Sequence, residues 1–446
     1  MDCKKKMFLI LMGCFLIRLI GINQSLWLDE AISVNMAKLP INSIVTQFSI
    51  RDFHPPVYYW FLNIWIKIFG DQVWVMRLSS ILFSLITIWL VYKIGKEIKD
   101  KKTGLWAAIL VGVNPLLIYF SQELRMYSMV TMWLMGSIYF LTRILNPSTK
   151  LRTNWKNILG FNIMTGLSFV TFYGSIFLIG AEILYLLINK KIKLLLMSIW
   201  GIILALLGIG SLLMTQLQYS QDALLQINNW SLALGKVNLK NLLLIPLKFS
   251  VGKVSWWPKI SYYLIGASWS LIVFGATIKG LFKDKLLRFL LIMPLIFGII
   301  ISFKSPMLQY FRFLYLIPII SLLISLGTQK NTKKILVIGF LIFCGIYLLN
   351  PKMHRENWKD LTNSLSSNDN IYIIESFADP IKFYNPNLKI NGFENNVPIE
   401  EKIKIIPYGE EIHSLNHIEL LRGIDYIKND EKDFGGVTWE EWIKEK

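Results

Sequence analysis

Two carboxylates stand side by side in SLWLDEAIS, Asp29 and Glu30, and consecutive acids cannot both ionise cheaply in a partly dry site. One is then poised as a general base while the other is hydrogen-bonded or metal-bound. The same positions also suit an N-terminal cap and first-turn acid for a helix through Ala31–Lys38, a reading that needs no catalysis. His54 follows in DFHPPVYYW, where Pro55 and Pro56 end an extended strip and start the next helix, so the imidazole leaves the backbone in a fixed direction. Arg77 in VWVMRLSS, Glu123 and Arg125 in YFSQELRMYS, and Arg312 in LQYFRFLYLIP complete a set of charges at the ends of apolar runs. Snorkelling and a Glu123–Arg125 pair account for these equally well. Arg18 lies inside an apolar run and is expected to pair with a buried carboxylate.

The elements that must position these groups are membrane spans. Of 446 residues, 54% are hydrophobic, 14% aromatic and only 17% charged, with a mean hydropathy of +0.47. Soluble domains carry about 25% charged residues, so an ordinary soluble protein is excluded. Eleven spans are expected, at 7–22, 73–95, 103–120, 127–145, 158–171, 173–188, 194–216, 261–282, 286–303, 312–327 and 335–350. The cation groups MDCKKK, KEIKDKK, Arg143–Lys156, NKKIK, KGLFKDK and TQKNTKK fall in alternate linkers, and the positive-inside rule places all six in the cytoplasm. The first span reads as a retained signal anchor, since no small-residue cleavage site follows Gly21. The N-terminus is then cytoplasmic. Residues 23–72, 121–126, 217–260 and the tail after Asn350 face outward.

Charge divides along the same line. Residues 1–350 hold 35 Lys+Arg against 11 Asp+Glu, and residues 351–446 hold 12 against 18. The basic residues recur in short groups between apolar runs instead of forming one tract, which topology explains and nucleic-acid binding does not. Residues 351–446 alternate strand-like runs, NIYIIES (370–376) and GIDYIKND (423–430), with short helices near 377–385 and 410–422, as a small extracytoplasmic α/β domain would. Residues 1–350 form the transmembrane domain. In 217–260, Trp230, Trp256 and Trp257 mix with Lys236, Lys240, Lys248 and Lys253, a composition suited to a helix in the headgroup region. Cys3, Cys14 and Cys344 are too scattered for a disulfide framework or a zinc knuckle. The Lys/Ile/Asn-rich composition points to an AT-rich bacterial genome, hence a bacterial plasma membrane.

Acids, an imidazole and several arginines on one outward face of an apolar bundle suit a lipid-borne anionic substrate. Arginine presents a planar set of donors to phosphate, and membrane helices hold a long isoprenoid tail. Sugar transfer from a polyprenyl phosphate fits this chemistry. A flippase or transporter of lipid-linked sugars would need the same basic groove, but it would show repeated halves and broken midplane helices. A ligase or polymerase consuming a diphosphate-linked glycan stays open.

In the order SLWLDEA, HPP, RLSS and SQELRMY, the chain resembles the GT-C membrane glycosyltransferases of the protein O-mannosyltransferase-like and aminoarabinose-transferase-like branch, over about residues 8–140. FRFLYLIP and RENWKDLTNSL look like the later landmarks of that branch. The resemblance implies a GT-C-like helical membrane protein that inverts the sugar taken from a polyprenyl-phosphate donor. The acceptor would be a glycan, lipid or protein hydroxyl, with membrane lipids as further partners. It implies Asp29 as the base on the acceptor, Glu30 as its orienting neighbour and Glu123 as the second acidic position. Arg77, Arg125, Tyr127 and Arg312 would bind the donor, and His54 stands where relatives carry a charged residue before the double proline. A divalent ion, where used, would be held by Asp29, Glu30, His54 and Glu123; no other cofactor is implied.

Overall fold

The computed structural model describes residues 2–49, 52–146, 155–227, 229–394 and 396–445. The cation-rich segment between Arg143 and Lys156 lies mostly outside these. Each of the eleven apolar runs is helical, and the chain is an integral membrane protein. Among the described residues, six helices are long and apolar enough to cross a bilayer: Val73–Ile98, Tyr127–Leu145, Ile192–Gln226, Lys259–Leu281, Lys285–Ser302 and Lys330–Leu349. Cys3–Leu19 and Trp155–Thr171, of 17 residues each, and the shorter apolar helices Tyr173–Ile188 and Leu316–Gly327 complete the bundle.

The run expected as one span over 103–120 is broken. Lys101–Gly112 and Pro115–Ser121 meet at 65°. Asn114 turns the chain there: its side chain accepts from the amides of Leu116 and Leu117 at 3.1 Å, and Pro115 takes the first helical position, where a missing amide costs nothing. The break leaves the Gly112 carbonyl without a helical partner. Arg18 supplies it, donating to Gly112 O at 2.9 Å and also to Cys14 O and Ser84 Oγ. The carboxylate expected beside Arg18 is therefore replaced by carbonyls and a hydroxyl.

Between the first two long helices, residues 23–72 fold into Leu28–Ala37, a short π-helical turn at Ile44–Phe48, and Val57–Phe69, which starts directly after Pro56. Residues 217–260 are not one interfacial helix. Trp200–Gln226 runs on past 216, and Leu239–Val251 then packs on Lys259–Leu281 and on Pro115–Ser121, where Asn114 Nδ2 donates to Phe249 O at 2.9 Å.

After Leu349 the chain forms a five-stranded sheet with short helices. Its strands are β1 (Ile371–Ile373), β2 (Ile390–Gly392), β3 (Lys402–Ile406), β4 (Tyr426–Asp433) and β5 (Thr438–Lys444), in the order β2-β1-β3-β5-β4. The β2-β1-β3 part is parallel, and β5 pairs antiparallel with both β3 and β4. Trp358, Ile371, Ile373, Phe377 and Trp439 form its core, and Leu28 of the first loop is buried in the same cluster. The loop carrying the acidic pair thus lies between the bundle and the sheet.

Candidate active site

Leu28–Ala37 begins after Trp27, whose backbone is extended and whose side chain caps nothing. Asp29 and Glu30 both fall in its first turn, where the helix dipole favours acids, but neither is the cap. Successive helical positions point about 100° apart, and this separates them. Glu30 turns inward and has no exposed surface. It meets Arg77 twice, Nε to Oε1 at 3.0 Å and Nη2 to Oε2 at 2.5 Å, and accepts from the Leu124 amide at 2.8 Å. Burial opposes its ionisation, but Arg77 and Arg355 outweigh that and hold the carboxyl below its ordinary range. Arg77 gives its other three N–H bonds to the carbonyls of Ile22, Gln24 and Ser25. All five guanidinium donors are then used. Arg77 therefore pins the first loop and has no donor left for a donor phosphate, contrary to its expected role.

Asp29 turns the other way and keeps 37% of its side chain exposed. Its carboxylate faces Arg125 at 3.6 Å, and Arg125 also reaches Ser33 Oγ at 3.4 Å while its buried Nε has no partner. Among the described residues Arg312 has one long bond, to Pro306 O at 3.4 Å, and lies with Arg125 within electrostatic reach of both Tyr127 and His54. Tyr127 is buried edge-on against Phe120, Phe172 and Phe311. The expected Glu123–Arg125 pair does not form as a contact; Arg125 turns to Asp29.

His54 Nδ1 stands 3.3 Å from Asp52 Oδ1, and Tyr59 donates to Asp52 Oδ2 at 2.9 Å. Burial, aided by Arg125 and Arg312, holds the imidazole below its ordinary value against the pull of Asp52, so it is neutral at pH 7. His54 and Arg312 line a cavity of about 190 Å³ with Phe172, Tyr173, Gln216 and Met307.

Glu123 is buried beside a residue that sequence reasoning did not single out. Arg355 Nη2 approaches Glu123 Oε2 at 3.4 Å, and Arg355 Nε lies 3.7 Å from Glu30 Oε2. Its guanidinium also stacks 4.3 Å from the Tyr119 ring centre. Burial pushes the Glu123 carboxyl up to about 7, with Arg355 pulling down and Glu30 up. Lys253, expected at a headgroup interface, instead stands over the same Tyr119 ring at 5.4 Å and within reach of Glu123. The only sequence signal for Arg355 is its place in RENWKDLTNSL. Nothing marked Lys253 apart from its neighbours.

The proposed metal donors do not converge. Glu30 is committed to Arg77, Glu123 faces Arg355, and His54 faces Asp52. Among the described residues, no three His, Cys, Asp or Glu side chains are grouped to hold a metal ion.

Residues 53–214 match the family described as dolichyl-phosphate-mannose-protein mannosyltransferase. The whole chain is similar in structure to ArnT from Cupriavidus metallidurans in the apo state, with a TM-score of 0.61 at 9% identity over 98% of each chain. The chain therefore has the GT-C fold of these membrane proteins, and residues 53–214 carry the likeness to the mannosyltransferase family. ArnT bound to undecaprenyl phosphate is similar with a TM-score of 0.58, at 11% identity over 97% of each chain. The oligosaccharyltransferase AglB from Archaeoglobus fulgidus, in complex with an inhibitory peptide and a dolichol-phosphate, has a TM-score of 0.54 at 11% identity, over 97% of this chain and 74% of its own. At these identities the structural likeness is one of fold. No curated protein matches the chain by sequence.

Proposed function

We propose that the protein transfers a sugar from a polyprenyl-phosphate donor to an acceptor hydroxyl, with inversion, at the face of the bundle that carries the sheet. The observation that carries this is the division of the acidic pair: Glu30 is spent on Arg77, while Asp29, with 37% of its side chain exposed, faces Arg125. ArnT bound to undecaprenyl phosphate and AglB in complex with a dolichol-phosphate, both similar in fold, support a lipid-phosphate partner.

Asp29 takes the proton of the acceptor hydroxyl as its oxygen bonds to the anomeric carbon. The carbon–oxygen bond to phosphate breaks on the opposite side, and polyprenyl phosphate leaves with the electron pair. Arg125 and Arg312, with unspent donors, receive that charge. Tyr127 and the neutral His54 wall the donor side. Glu123 is the second acidic position, close to neutral.

Residues 1–350 are then the catalytic membrane domain and 351–446 an extracytoplasmic domain, in a bacterial plasma membrane with the N-terminus inside. The test is transfer of radiolabelled hexose or pentose from polyprenyl-phosphate donors in membranes bearing the wild type or Asp29→Asn. Transfer that collapses in the variant at equal expression supports the reading; equal transfer removes Asp29 as the base.

A further inference from the structure

The helix carrying the acidic pair is held from two sides, and one side is the C-terminal part of the chain. The Tyr384 hydroxyl accepts from the Leu26 amide at 2.8 Å, the Lys359 amide donates to Ser25 Oγ at 3.0 Å, and Asn35 Nδ2 donates to Asp379 Oδ1 at 2.7 Å. Leu28 fills the core beneath the sheet. These contacts fasten residues 25–35 to elements more than 320 positions away.

At the centre of this joint stands Arg355, with only 2% of its side chain exposed. Its amide donates to Gln24 Oε1 at 3.3 Å. Its guanidinium reaches the Tyr347 hydroxyl and the Tyr119 carbonyl, at 3.4 and 3.3 Å, while facing Glu30 and Glu123. One buried cation is thus shared by two carboxylates, one from the first loop and one from the 122–126 linker. A buried charge so placed is costly unless its partners are fixed, so it fixes them. The next residue continues the joint: Glu356 accepts from Trp358 Nε1 and from the Tyr408 hydroxyl, each at 2.9 Å, within electrostatic reach of Asp29.

We infer that Arg355 is a positioning residue for the transfer reaction: delivered by the C-terminal part of the chain, it holds Glu30 and Glu123 in register and makes docking of the sheet domain a condition of catalysis. This rests on the glycosyltransferase reading above. It acts through the carboxylates: its Nη atoms reach Glu123 Oε2 and the Tyr347 and Tyr119 oxygens, and its Nε, without a hydrogen bond among the described residues, lies 3.7 Å from Glu30 Oε2.

A merely structural arginine and a positioning one differ in what they do to Glu123. The groups facing Glu123 are Arg355, Glu30, Lys253 and Arg125, with the hydroxyls of Tyr58, Tyr119 and Tyr127. Arg355 is the strongest of the cations drawing its proton away, so its loss moves the Glu123 titration to higher pH. The experiment compares wild type, Arg355→Met, Arg355→Lys and Glu123→Gln, purified whole in detergent. For Arg355→Met the expected result is a fall in kcat of about tenfold or more, an alkaline shift in the pH–rate limb set by Glu123, and undiminished binding of sugar-free polyprenyl phosphate. Arg355→Lys keeps the charge without the fork and falls between; it serves in place of Arg355→Met should that variant not fold.

An unchanged limb and rate overturn the proposal. Lost polyprenyl-phosphate binding with an unmoved limb also overturns it, by making Arg355 a donor ligand. The pH dependence of thermal unfolding reads the same titration without any sugar transfer. If the wild type transfers nothing, the glycosyltransferase reading fails; the positioning of Glu123 then stands or falls on whether the unfolding step vanishes in Glu123→Gln and moves upward in the Arg355 variant.

Discussion

Asp29 and Glu30 are adjacent in the chain and opposite in circumstance: Glu30 is sealed against Arg77, and Asp29 is open and opposed by Arg125. The two substitutions should therefore fail differently. Asp29→Asn should keep the folded protein and lower kcat on the order of 10²- to 10⁴-fold, the usual contribution of a positioned general base. Glu30→Gln should instead cost about 3–5 kcal/mol of stability, because Arg77 is left buried and uncompensated. Detergent melting curves beside transfer rates separate the two. A Glu30→Gln protein that melts normally would remove the latch.

Arg77 and Arg312 make a second contrast. Arg312→Met should raise the Kd for polyprenyl phosphate about 10- to 100-fold, from the ~1.5–3 kcal/mol of a hydrogen bond to a charged group, without loss of fold. Arg77→Met should behave like Glu30→Gln, destabilised but with an intact phosphate site in whatever fraction folds. Equal loss of affinity in both would return Arg77 to the phosphate.

One arginine that reads as a ligand in the sequence spends its donors on the first loop in the structure, which shows what a sequence leaves out. The apolar runs are local, so all eleven were legible as helical, as were β1, β4 and the short helices between them. The break at Asn114-Pro115 lay inside an otherwise apolar run, and β2, β3 and β5 were not read as strands. Partners are not local. Glu30 finds Arg77 47 residues on, and Arg355 finds Glu123 232 residues back. Spacing marked Asp29, Glu30 and Glu123 as unusual acids but could not say which would be neutralised. It gave Lys253 the same weight as Lys236 or Lys240. The turn after Gly252, whose φ of +75° ends Leu239–Val251, brings Lys253 to Tyr119.

Glu123 makes stability depend on pH in a definite direction. Its carboxyl is raised from an ordinary 4.5 to about 7, so the folded protein binds this proton more tightly than the unfolded chain. The stabilisation is fully present below 4.5 and is lost as pH rises through about 7. Thermal unfolding from pH 5 to 8 should show the melting temperature falling across that window, and Glu123→Gln should flatten the fall. A wild type with no slope there would mean that Glu123 stays ionised.

A second titration belongs to the sheet domain. His417 is buried between two carboxylates, Nδ1 at 2.9 Å from Glu410 Oε2 and Nε2 at 2.9 Å from Glu440 Oε2. Burial lowers its affinity for the proton, but the two carboxylates outweigh burial and hold the imidazole above its ordinary 6.5. Its stabilisation is present below 6.5 and lost as pH rises through the higher folded value. Deprotonation removes one N–H and sets a bare ring nitrogen against a carboxylate. The segment it releases is Glu410–His413, which docks on Asn229 through bonds from Asn229 Nδ2 to Glu411 O at 2.7 Å and from the Asn229 amide to Ile412 O at 3.3 Å. Hydrogen exchange should therefore show residues 410–422 losing protection above neutral pH while the β1 and β3 amides keep theirs. His417→Asn, with no group to titrate there, should leave residues 410–422 less protected at every pH and remove the pH dependence. Uniform protection across the range would place the neutral imidazole in the folded state and remove this joint from the domain's pH response.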